Sequence, residues 1–337
     1  MVAAEPGLAL IRLAPAGDLP EVERALGPLV RRFSHSDGAG PLLADNPGPL
    51  ALVTGFGPTN APTAGTLTVM LGIVELQRVL GVPVTVVISE LGAWNSRNVP
   101  WPGLEAIRDQ MLAFLTRIGF DTGRGTLRSH LDRANLVRAG KIARFLTRQD
   151  FLANKEDLLE LYDSHGLLGS EVGLMVDGLY TIADILGPAE EGAQRILVLC
   201  GQEEAYFTAL ARLVLARQAS AGELSLGWKA TVGALYFRVL EGLGGYPKMS
   251  KSIPASSIHL GMTRPELEDR ILASDEPSQP ALLSAIELSS GWDKDRLMLA
   301  RSAYARRAAD PAGWSAVKED YVQAFAAYAA LWTACAP

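Results

Sequence analysis

The sequence is poor in the residues that build metal sites and disulfide scaffolds. It has two cysteines, Cys200 and Cys335, in 337 residues, too few for a disulfide framework or a cysteine-built zinc site. Its four histidines are scattered, with no pair at the spacing of metal ligands, which argues against a histidine-based metal site. Few cysteines are typical of a reducing compartment, so we expect a cytoplasmic protein.

Long apolar runs and an excess of positive charge are also missing. No run reaches the ~20 apolar residues that cross a bilayer, and the first residues lack the basic and apolar regions of a signal peptide. We therefore expect no membrane partner. The formal net charge is −6, from 31 basic and 37 acidic residues. Because phosphate contacts dominate binding to nucleic acids, this balance lowers the expectation of tight binding to tRNA or DNA.

What the sequence contains is an alternation of short buried strands and helices. Three apolar runs, at residues 49–55, 82–90 and 195–201, are typical of buried strands. A helix is predicted between the first two, at about residues 63–80, and residues 103–165 are expected to be mostly helical. Strand, tight loop, helix and strand in this order form a βαβ unit, which implies a parallel sheet. The predicted fold class is therefore α/β.

The chain is long enough for two domains, or for one large α/β domain with an appendage. We expect an N-terminal helical extension at residues 1–45 and the α/β domain at residues 46–260. A helical insertion is predicted within that domain, at about residues 103–190. Residues 261–337 are expected to form a reduced C-terminal helical domain.

The most specific chemical signal is the string KMSKS at residues 248–252. Two lysines three residues apart, separated by small hydroxyl side chains on a glycine-rich loop, suit a mobile clamp on a polyphosphate. Backbone N–H groups and the hydroxyls add hydrogen-bond donors. The alternative interpretation is a solvated basic loop without a ligand. The candidate residues are Lys248, Met249, Ser250, Lys251 and Ser252.

A second candidate is the turn that joins the first predicted strand to the first predicted helix. In a parallel sheet, this turn brings the N–H groups of a helix to the edge where phosphates bind. Gly65 has no side chain, so a nucleotide base or ribose can approach the helix closely there. The alternative is that Pro58 and Gly65 only shape the turn. The candidate residues are Gly55, Gly57, Pro58, Thr59, Thr63, Gly65 and Thr66.

Together these segments resemble the class I aminoacyl-tRNA synthetases, and most of all the archaeal and eukaryotic branch of the tryptophanyl/tyrosyl subgroup. Residues 248–252 match the KMSKS signature of that family, and residues 63–66 stand where it carries its HIGH signature. The similarity covers roughly residues 30–260. It implies a Rossmann-like catalytic domain, ATP and Mg²⁺ as cofactors, an amino acid as substrate and a homodimer. Whether tRNA is a partner stays open.

The resemblance also assigns the nucleotide site. It gives Lys248, Lys251, Thr63 and Thr66 catalytic roles on ATP, and the remaining residues of both motifs a role in ATP binding. Residues 63–66 read TAGT, so both histidines of HIGH are missing. Threonine can hydrogen-bond a phosphate oxygen but cannot become a cation, which bears on the rate of adenylation more than on ATP binding.

A third nucleotide motif of the family, GxDQ, falls near Gly201 at the end of the last predicted strand. In one register Glu203 takes the place of the aspartate that binds the ribose. In the other register Gln202 takes that place. A carboxylate that accepts from both ribose hydroxyls is sound chemistry, so Gly201 and Glu203 are the assigned residues. An acidic first turn that only satisfies the helix dipole is the alternative.

Residues 173–186 resemble the amino-acid pocket helix of the family. Asp184 falls where the family has an acceptor for an indole N–H or a tyrosine hydroxyl, and a carboxylate among apolar neighbours needs a donor. The alternative for Asp184 is a structural salt bridge or a helix cap. Asp177 replaces a tyrosine of the family and suits a substrate ammonium. The resemblance adds three further pocket residues, which are Thr181, Val53 and Glu90.

The sequence therefore predicts ATP-dependent activation of an amino acid, tryptophan or another aromatic, as its aminoacyl adenylate. Residues 253–337 contain 8 basic and 11 acidic residues, a net charge of −3, where the family places its tRNA contacts. A tRNA-independent enzyme that transfers the activated amino acid to a small amine or alcohol is therefore an alternative. A non-catalytic binding protein on the same fold is a third interpretation.

Overall fold

The computed structural model covers the 337-residue chain. Among the predicted site residues, Ser252 lies outside the described residues, and Glu203 is described for its backbone alone. The described residues are 14–15, 20–44, 48–97, 99–153, 163, 166, 169–251, 253–274 and 278–337.

A mostly parallel sheet organises the first half of the fold. Its strands within the described residues are β1 (Ala14–Pro15), β2 (Phe33–Asp37), β3 (Leu50–Phe56), β4 (Val84–Ile88), β5 (Gly125–Ser129), β6 (Arg195–Gly201) and β7 (Thr231–Phe237). They are hydrogen-bonded in the order β1-β2-β7-β6-β3-β4-β5. The strands from β7 to β5 in this order run parallel, whereas β2 is antiparallel to both of its neighbours.

Helices connect the strands and continue to the C-terminus. The α-helices of the described chain are α1 (Pro20–Leu26), α2 (Ala39–Leu43), α3 (Ala64–Leu80), α4 (Glu90–Ser96), α5 (Trp101–Arg117), α6 (Arg133–Ile142), α7 (Arg148–Ala153), α8 (Glu171–Glu190), α9 (Ala205–Ala219), α10 (Arg264–Leu272), α11 (Gln279–Ser289), α12 (Lys294–Ala305) and α13 (Pro311–Thr333). Single turns of 3₁₀ helix cover Ala143–Phe145, Gln202–Glu204, Gly222–Leu224, Leu243–Gly245 and Pro254–Ser256, and a longer one covers Gly27–Arg32.

The chain forms two compact units, each assembled from separate stretches of sequence. The first unit comprises the described residues of Met1–Pro58, Glu75–Arg108 and Asp121–Arg238. The second unit comprises the described residues of Thr59–Val74, Asp109–Phe120 and Val239–Pro337. The segment boundaries drawn from the sequence, near residues 45 and 260, stay predictions.

The strand order of the first unit fixes where a ligand is expected. From β3 the chain crosses to β4 and then to β5 on one side, and it returns to place β6 and β7 on the other side of β3. The order therefore reverses between β3 and β6. In open parallel sheets, ligands bind outside the carboxyl ends of the strands at such a reversal. Gly55, Gly57, Pro58 and Gly201 lie at this end of β3 and β6.

Burial explains why these segments are strands. Leu50 to Val53 of β3 are buried without a break, as are Ile196 to Leu199 of β6, the pattern of parallel strands covered on both faces. α8 is long and apolar enough to cross a membrane by length and composition alone. Its residues from Ile182 to Ala189 are buried in the first unit, so it packs there as a core helix.

Of the strands in the described residues, the sequence predicted three and missed four. The missed strands are β7, a buried apolar run inside the sheet, β5 at one edge, and β1 and β2, which lie within residues 1–45 that were expected to be a helical extension. The runs at residues 49–55, 82–90 and 195–201 are confirmed as β3, β4 and β6, and the helix at 63–80 is confirmed as α3. β5 lies in a region that was expected to be helical. Four of its five residues are polar or small, and most are only half-buried, so they form no apolar run to signal a strand.

The second unit ends in the helical region that the sequence predicted. In α13 the buried residues Trp314, Lys318, Tyr321 and Phe325 recur every three or four positions, which is the spacing of one helix face. The Lys318 ammonium donates to the carbonyl oxygen of Leu272 at 2.6 Å, and burial lowers the pKa of Lys318.

Candidate functional site

The turn after β3 shows that glycine at position 57 is not imposed by the protein. A side-chain carbon added to Gly57 would meet Ala93 and Ser89 at 3.9 Å, which is ordinary contact. A side-chain carbon added to Gly55 would lie 3.4 Å from the Val87 carbonyl oxygen. Packing alone therefore tolerates a side chain at Gly57, and the absence of one keeps the turn open to a close-lying ligand.

In the second unit, the start of α3 is capped by the chain itself. The buried Thr63 hydroxyl oxygen accepts a hydrogen bond from the Thr66 backbone N–H at 3.2 Å and lies 3.4 Å from the Thr66 hydroxyl. The Thr63 carbonyl accepts from the N–H of Leu67, and the N–H of Ala64 donates to the Ile258 carbonyl. Thr63 is thus an N-cap, and its role toward phosphate stays a prediction.

The same start of α3 is tied to the segment that follows the KMSKS string. Thr63 forms an antiparallel bridge with His259, flanked by Ala64 N–H to Ile258 at 2.8 Å and Leu260 N–H to Pro62 at 2.9 Å. Opposed residues of such a pair project to the same face. The bridge therefore places the His259 imidazole on the side of the Thr63 hydroxyl, a neighbour that the sequence analysis missed.

The lysine loop, residues 248–251, is held by its backbone. The Met249 N–H donates to Leu240, and the Ser250 N–H donates to the Ser256 hydroxyl at 3.0 Å. Met249 and Ser250 are buried, whereas Lys248 and Lys251 are half-buried. An anchored loop differs from the solvated basic loop that was the alternative interpretation.

Gly242, six residues before the lysine loop, is a further residue that sequence reasoning missed. Its N–H donates to the Tyr246 carbonyl at 2.8 Å. A side-chain carbon at Gly242 would lie 2.7 Å from the Lys248 carbonyl oxygen, closer than atoms can pack. The approach of the lysine loop therefore requires glycine there, and the glycine-rich stretch before the string was the available signal.

At the end of β6, the two registers of the third motif stay open. Gly201 closes β6 in register with Phe237. Gln202, Glu203 and Glu204 form a single 3₁₀ turn ahead of α9. The turn lies at the carboxyl end of the sheet, as the motif requires.

Asp184 is engaged by two side chains of the first unit. Its Oδ1 lies 2.8 Å from the Arg128 guanidinium, and its Oδ2 lies 2.7 Å from Nε2 of His130. Asp184 is 4% exposed and His130 is 1% exposed. The structural salt bridge that was the alternative for Asp184 is therefore present. The buried Oδ1 nevertheless has no hydrogen-bond partner among the described residues, so the substrate contact of Asp184 stays a prediction.

His130 links α4, β5 and α8. Its Nδ1 accepts the backbone N–H of Gly92 at 3.2 Å, so the proton of the neutral ring sits on Nε2, which faces Asp184. Burial lowers the pKa of His130, but Asp184, Asp177 and Glu90 raise it, and the net shift is upward. The structure thus brings three predicted carboxylates around one histidine that the sequence did not single out.

Asp177 is half-buried, whereas Glu90 is fully buried. Burial raises the pKa of Asp177 against the opposing effects of His130, a hydrogen bond from Ser96 and the charge of Arg97. The Oδ1 of Asp177 lies directly against Gly92, where a side-chain carbon would collide with it.

Glu90 is fully buried, contacts the Ser129 hydroxyl and lies 3.4 Å from the Arg108 guanidinium. Both contacts are to Oε1, and the buried Oε2 has no hydrogen-bond partner among the described residues. Val53 is buried in the apolar core with Ile182 and Ile185 of α8. Thr181, on the same helix, is half-buried.

The described residues contain no group of three or more His, Cys, Asp or Glu side chains arranged to hold a metal ion. The donors at the two motifs are ammonium, hydroxyl and backbone N–H groups, which suit phosphate oxygens rather than a cation. Mg²⁺ therefore stays a prediction.

No protein-family model matches the sequence, and no curated protein matches it. Solved structures do match the fold. Tryptophanyl-tRNA synthetase of Aeropyrum pernix aligns with a TM-score of 0.71 at 18% identity, over 96% of this chain and 90% of that one. The tryptophan-bound tryptophanyl-tRNA synthetase of Encephalitozoon cuniculi aligns with a TM-score of 0.70 at 17% identity, over 94% of this chain and 90% of that one.

Tyrosyl-tRNA synthetase of Aeropyrum pernix aligns with a TM-score of 0.67 at 13% identity, over 94% of both chains. Identities this low speak for the fold and not for the reaction. The expected α/β class and the expected resemblance are both confirmed. This chain has the class I fold of the tryptophanyl- and tyrosyl-tRNA synthetases.

Proposed function

We propose that the protein activates an amino acid with ATP, forming an aminoacyl adenylate and pyrophosphate. The observation that carries this proposal is the lysine loop of the second unit. Its backbone is anchored at Met249 and Ser250, and the segment that follows it is hydrogen-bonded to the start of α3. Two ammonium groups on an anchored loop, in a chain of this fold, suit a polyphosphate.

In the proposed reaction, a carboxylate oxygen of the amino acid attacks the α-phosphorus of ATP. The new bond joins that oxygen to phosphorus, and the bond to the bridging oxygen of the pyrophosphate breaks. Positioning and charge stabilisation do most of the work in such a transfer. Lys248 and Lys251 stabilise the negative charge that develops on the leaving pyrophosphate.

The nucleotide is proposed to be held by the two glycine-containing turns and the hydroxyls of α3. Thr63 and Thr66 offer hydroxyl groups at the helix start. The 3₁₀ turn that contains Glu203 offers a ribose acceptor. The remaining proposed contacts are Gly55, Gly57, Pro58, Thr59, Gly65, Gly201, Met249, Ser250 and Ser252.

For the amino acid, we propose that Asp177 holds the ammonium group. It is the least covered of the three carboxylates around His130. Val53, Thr181 and Glu90 are proposed to shape the pocket wall. Tryptophan or another aromatic amino acid is the proposed substrate class. A homodimer in the cytoplasm, away from membranes, with Mg²⁺ bound to the ATP phosphates, completes the proposal.

One observation favours a small acceptor over tRNA. Three arginines of residues 253–337 are paired with carboxylates, in Arg264–Glu268, Arg296–Asp320 and Arg301–Glu287. Each phosphate contact needs a lysine, an arginine or a neutral donor. A region of net charge −3 in which three of the six arginines are paired with carboxylates favours transfer of the adenylate to a small amine or alcohol.

The test is amino-acid-dependent exchange of labelled pyrophosphate into ATP, run with each of the twenty amino acids on the full chain. Exchange with one or a few amino acids is expected. No exchange with any of them would refute activation and leave the non-catalytic binding protein. Charging of purified tRNA at ~150 mM salt then separates the acceptors, because robust charging would defeat the small-acceptor alternative.

A further inference from the structure

The segment Ser256–Leu260, which joins the lysine loop to the start of α3, contains one titratable side chain, His259. We propose that the His259 imidazole binds a phosphate oxygen of ATP, in place of the histidines that are missing from residues 63–66. The inference rests on the proposed activation of an amino acid and deepens it, because it adds a residue to the same nucleotide site.

This segment is fixed at both ends within the second unit. At one end, the Ser256 hydroxyl accepts the Ser250 N–H of the lysine loop at 3.0 Å. At the other end, the Leu260 N–H donates to the Pro62 carbonyl at 2.9 Å, directly ahead of α3. His259 is therefore held between the two motifs that are proposed to bind ATP.

Alternation along the segment turns His259 away from the core. Ile258 and Leu260 are fully buried, whereas His259 is half-buried, because successive side chains of an extended chain point to opposite sides. In the bridge between Thr63 and His259, the hydrogen bonds are made by the flanking N–H groups of Ala64 and Leu260. Opposed side chains approach most closely in pairs of this kind. The imidazole therefore lies on the same face as the Thr63 hydroxyl.

Short contacts connect the Thr63 hydroxyl to the lysine loop. A side-chain carbon added to Gly65 would lie 3.6 Å from the Thr63 hydroxyl oxygen and 3.8 Å from Cβ of Leu240. The Leu240 carbonyl accepts the Met249 N–H at 2.9 Å, and Met249 directly follows the first lysine of the loop. Gly65 therefore lies between the Thr63 side chain and the residue that anchors the lysine loop.

The His259 ring has a nitrogen without a partner. Its Nδ1 is buried and has no hydrogen-bond partner among the described residues, and it lies 3.3 Å from the place of a side-chain carbon at Gly261. An N–H donor that is buried without an acceptor costs free energy, so the neutral ring carries its proton on Nε2. The N–H of Nε2 is the donor that we assign to the phosphate oxygen.

Charged neighbours predict how the ring responds to phosphate. Burial lowers the pKa of His259, Glu266 of α10 opposes this effect, Arg270 of α10 adds to it, and the net shift is downward from 6.5. Hydrogen bonds from Thr263 lower the pKa of Glu266, so Glu266 stays ionised near neutral pH. A bound polyphosphate brings negative charge and raises the pKa of the imidazole. His259 should therefore strengthen ATP binding as pH falls from about 8 to about 6.

The first experiment compares pyrophosphate exchange by the parent, His259→Phe and His259→Gln, normalised to folded protein. Phenylalanine keeps a ring and loses the N–H, whereas the glutamine amide puts an N–H group near the position of Nε2. We expect kcat/KM for ATP to fall about 10- to 150-fold in His259→Phe, the effect of losing one hydrogen bond to a charged group. In His259→Gln it should stay within about tenfold of the parent.

His35→Phe is the matched control. His35 is also half-buried with an unpartnered Nδ1, but it lies in β2 of the first unit, so this variant should exchange at the parent rate. Exchange by His259→Phe at the rate of His35→Phe would overturn the proposal. Equal losses in His259→Phe and His259→Gln would overturn it as well, because a donor would then make no difference.

The second experiment separates a phosphate ligand from a packing role. The Kd of ATP is measured by calorimetry between about pH 8 and about pH 6 in the parent and in His259→Gln, and the ratio of the two values cancels the titration of ATP itself. The advantage of the parent should grow at least about threefold as pH falls, because the imidazole gains a charge and the amide does not. A ratio that is independent of pH would overturn the proposal.

A third measurement needs no variant of His259. The ring resonances of the four histidines of the chain are titrated by NMR in the parent, with and without ATP, and the His259 resonance is assigned by eliminating the others. The pKa of His259 should rise when ATP binds. An unchanged or lower value would overturn the proposal even if neither variant folds.

Failure of the proposed function is distinguishable from failure of this inference. If the parent exchanges pyrophosphate with no amino acid, the Kd of ATP replaces exchange as the readout. Weaker ATP binding by His259→Phe than by His35→Phe then supports the inference, although activation fails. Equal binding by the two, or no ATP binding by the parent, overturns it. If the parent and His259→Phe exchange equally while Lys251→Ala is slow, activation stands and only the inference fails.

Discussion

The Asp184 network of the first unit and the lysine loop of the second unit are held together by different groups. Around Asp184, charged side chains lie against one another: Nε2 of His130 is 2.7 Å from Oδ2, and the Arg128 guanidinium is 2.8 Å from Oδ1, which has no hydrogen-bond partner among the described residues. In the lysine loop, backbone N–H groups of Met249 and Ser250 find partners. In the Asp184 network, the charged side chains contact one another. In the lysine loop, backbone hydrogen bonds fix the position from which the lysine side chains extend.

This difference changes what the resemblance predicts. A signature residue is informative about a ligand when its surroundings do not already use its functional group. Asp184 occupies the place of an acceptor, and two side chains of the protein, Arg128 and His130, already lie against its carboxylate. Substrate recognition and nucleotide chemistry therefore need separate tests in this chain.

The largest expected effect comes from breaking the Asp184 network. Arg128→Met leaves a buried carboxylate with one partner fewer, which typically costs about 3–5 kcal/mol in the free energy of unfolding. Arg124→Met is the matched control, because the Arg124–Asp121 pair is 64% and 53% exposed and such pairs contribute about 1 kcal/mol or less. Urea denaturation of both variants checks this, and equal losses would show that the network is not buried as described.

The next effect tests the lysine loop through its packing. Gly242→Ala should push on the Lys248 carbonyl, at a cost of about 1–3 kcal/mol for overpacking, and should slow pyrophosphate exchange. Gly140→Ala is the control, because a carbon there meets nothing within 4 Å and alanine in a helix gains about 0.5–1 kcal/mol over glycine. Exchange by Gly242→Ala at the parent rate would mean that the loop position is unimportant.

A smaller effect separates the two roles of Thr63. Thr63→Ala removes the cap of α3 and should lower the free energy of unfolding by about 0.5–2 kcal/mol, whereas Thr63→Ser should keep it. Stability and the KM for ATP are measured on both. A normal KM for ATP in Thr63→Ala, with lowered stability, would assign Thr63 to capping alone.

The smallest effect is a pH dependence at an ion pair of the first unit outside the network. Burial works to raise the pKa of Asp150, but hydrogen bonds from Arg217 and Thr147 outweigh it, and the net shift is downward from 3.8. A depressed carboxyl pKa stabilises the fold above the unfolded value and loses that effect as pH falls through the folded one. The Tm gap between the parent and Asp150→Asn should therefore be full at pH 7 and shrink below about pH 4. A gap independent of pH would contradict it.

The centre of the fold could be predicted because β3, β4 and β6 are apolar runs of strand length, and the turn after β3 is marked by glycine and proline. The interior strand β7 is also an apolar run but was not predicted. β5 is mostly polar and half-buried, so its recognition depended on partners that the sequence does not show.

That missing strand also hid part of the site. Only when β5 is known can Arg128 and His130 be placed on the same face, next to Asp184. Without that strand, the sequence offers a substrate contact as the role of Asp184. The lysine string needed no tertiary information to be found, but its anchor at Gly242 depends on contacts with Tyr246 and Lys248.

The most direct measurement is pyrophosphate exchange by Lys251→Ala beside Lys141→Ala, with the amino acid that the parent accepts. Lys141 is the control, because its ammonium is half exposed and paired with Glu190. Losing one transition-state donor costs about 2–4 kcal/mol, so Lys251→Ala should exchange about 30- to 1,000-fold more slowly than the parent, and Lys141→Ala at the parent rate. Equal rates in all three proteins would contradict the assignment of the lysine loop to catalysis.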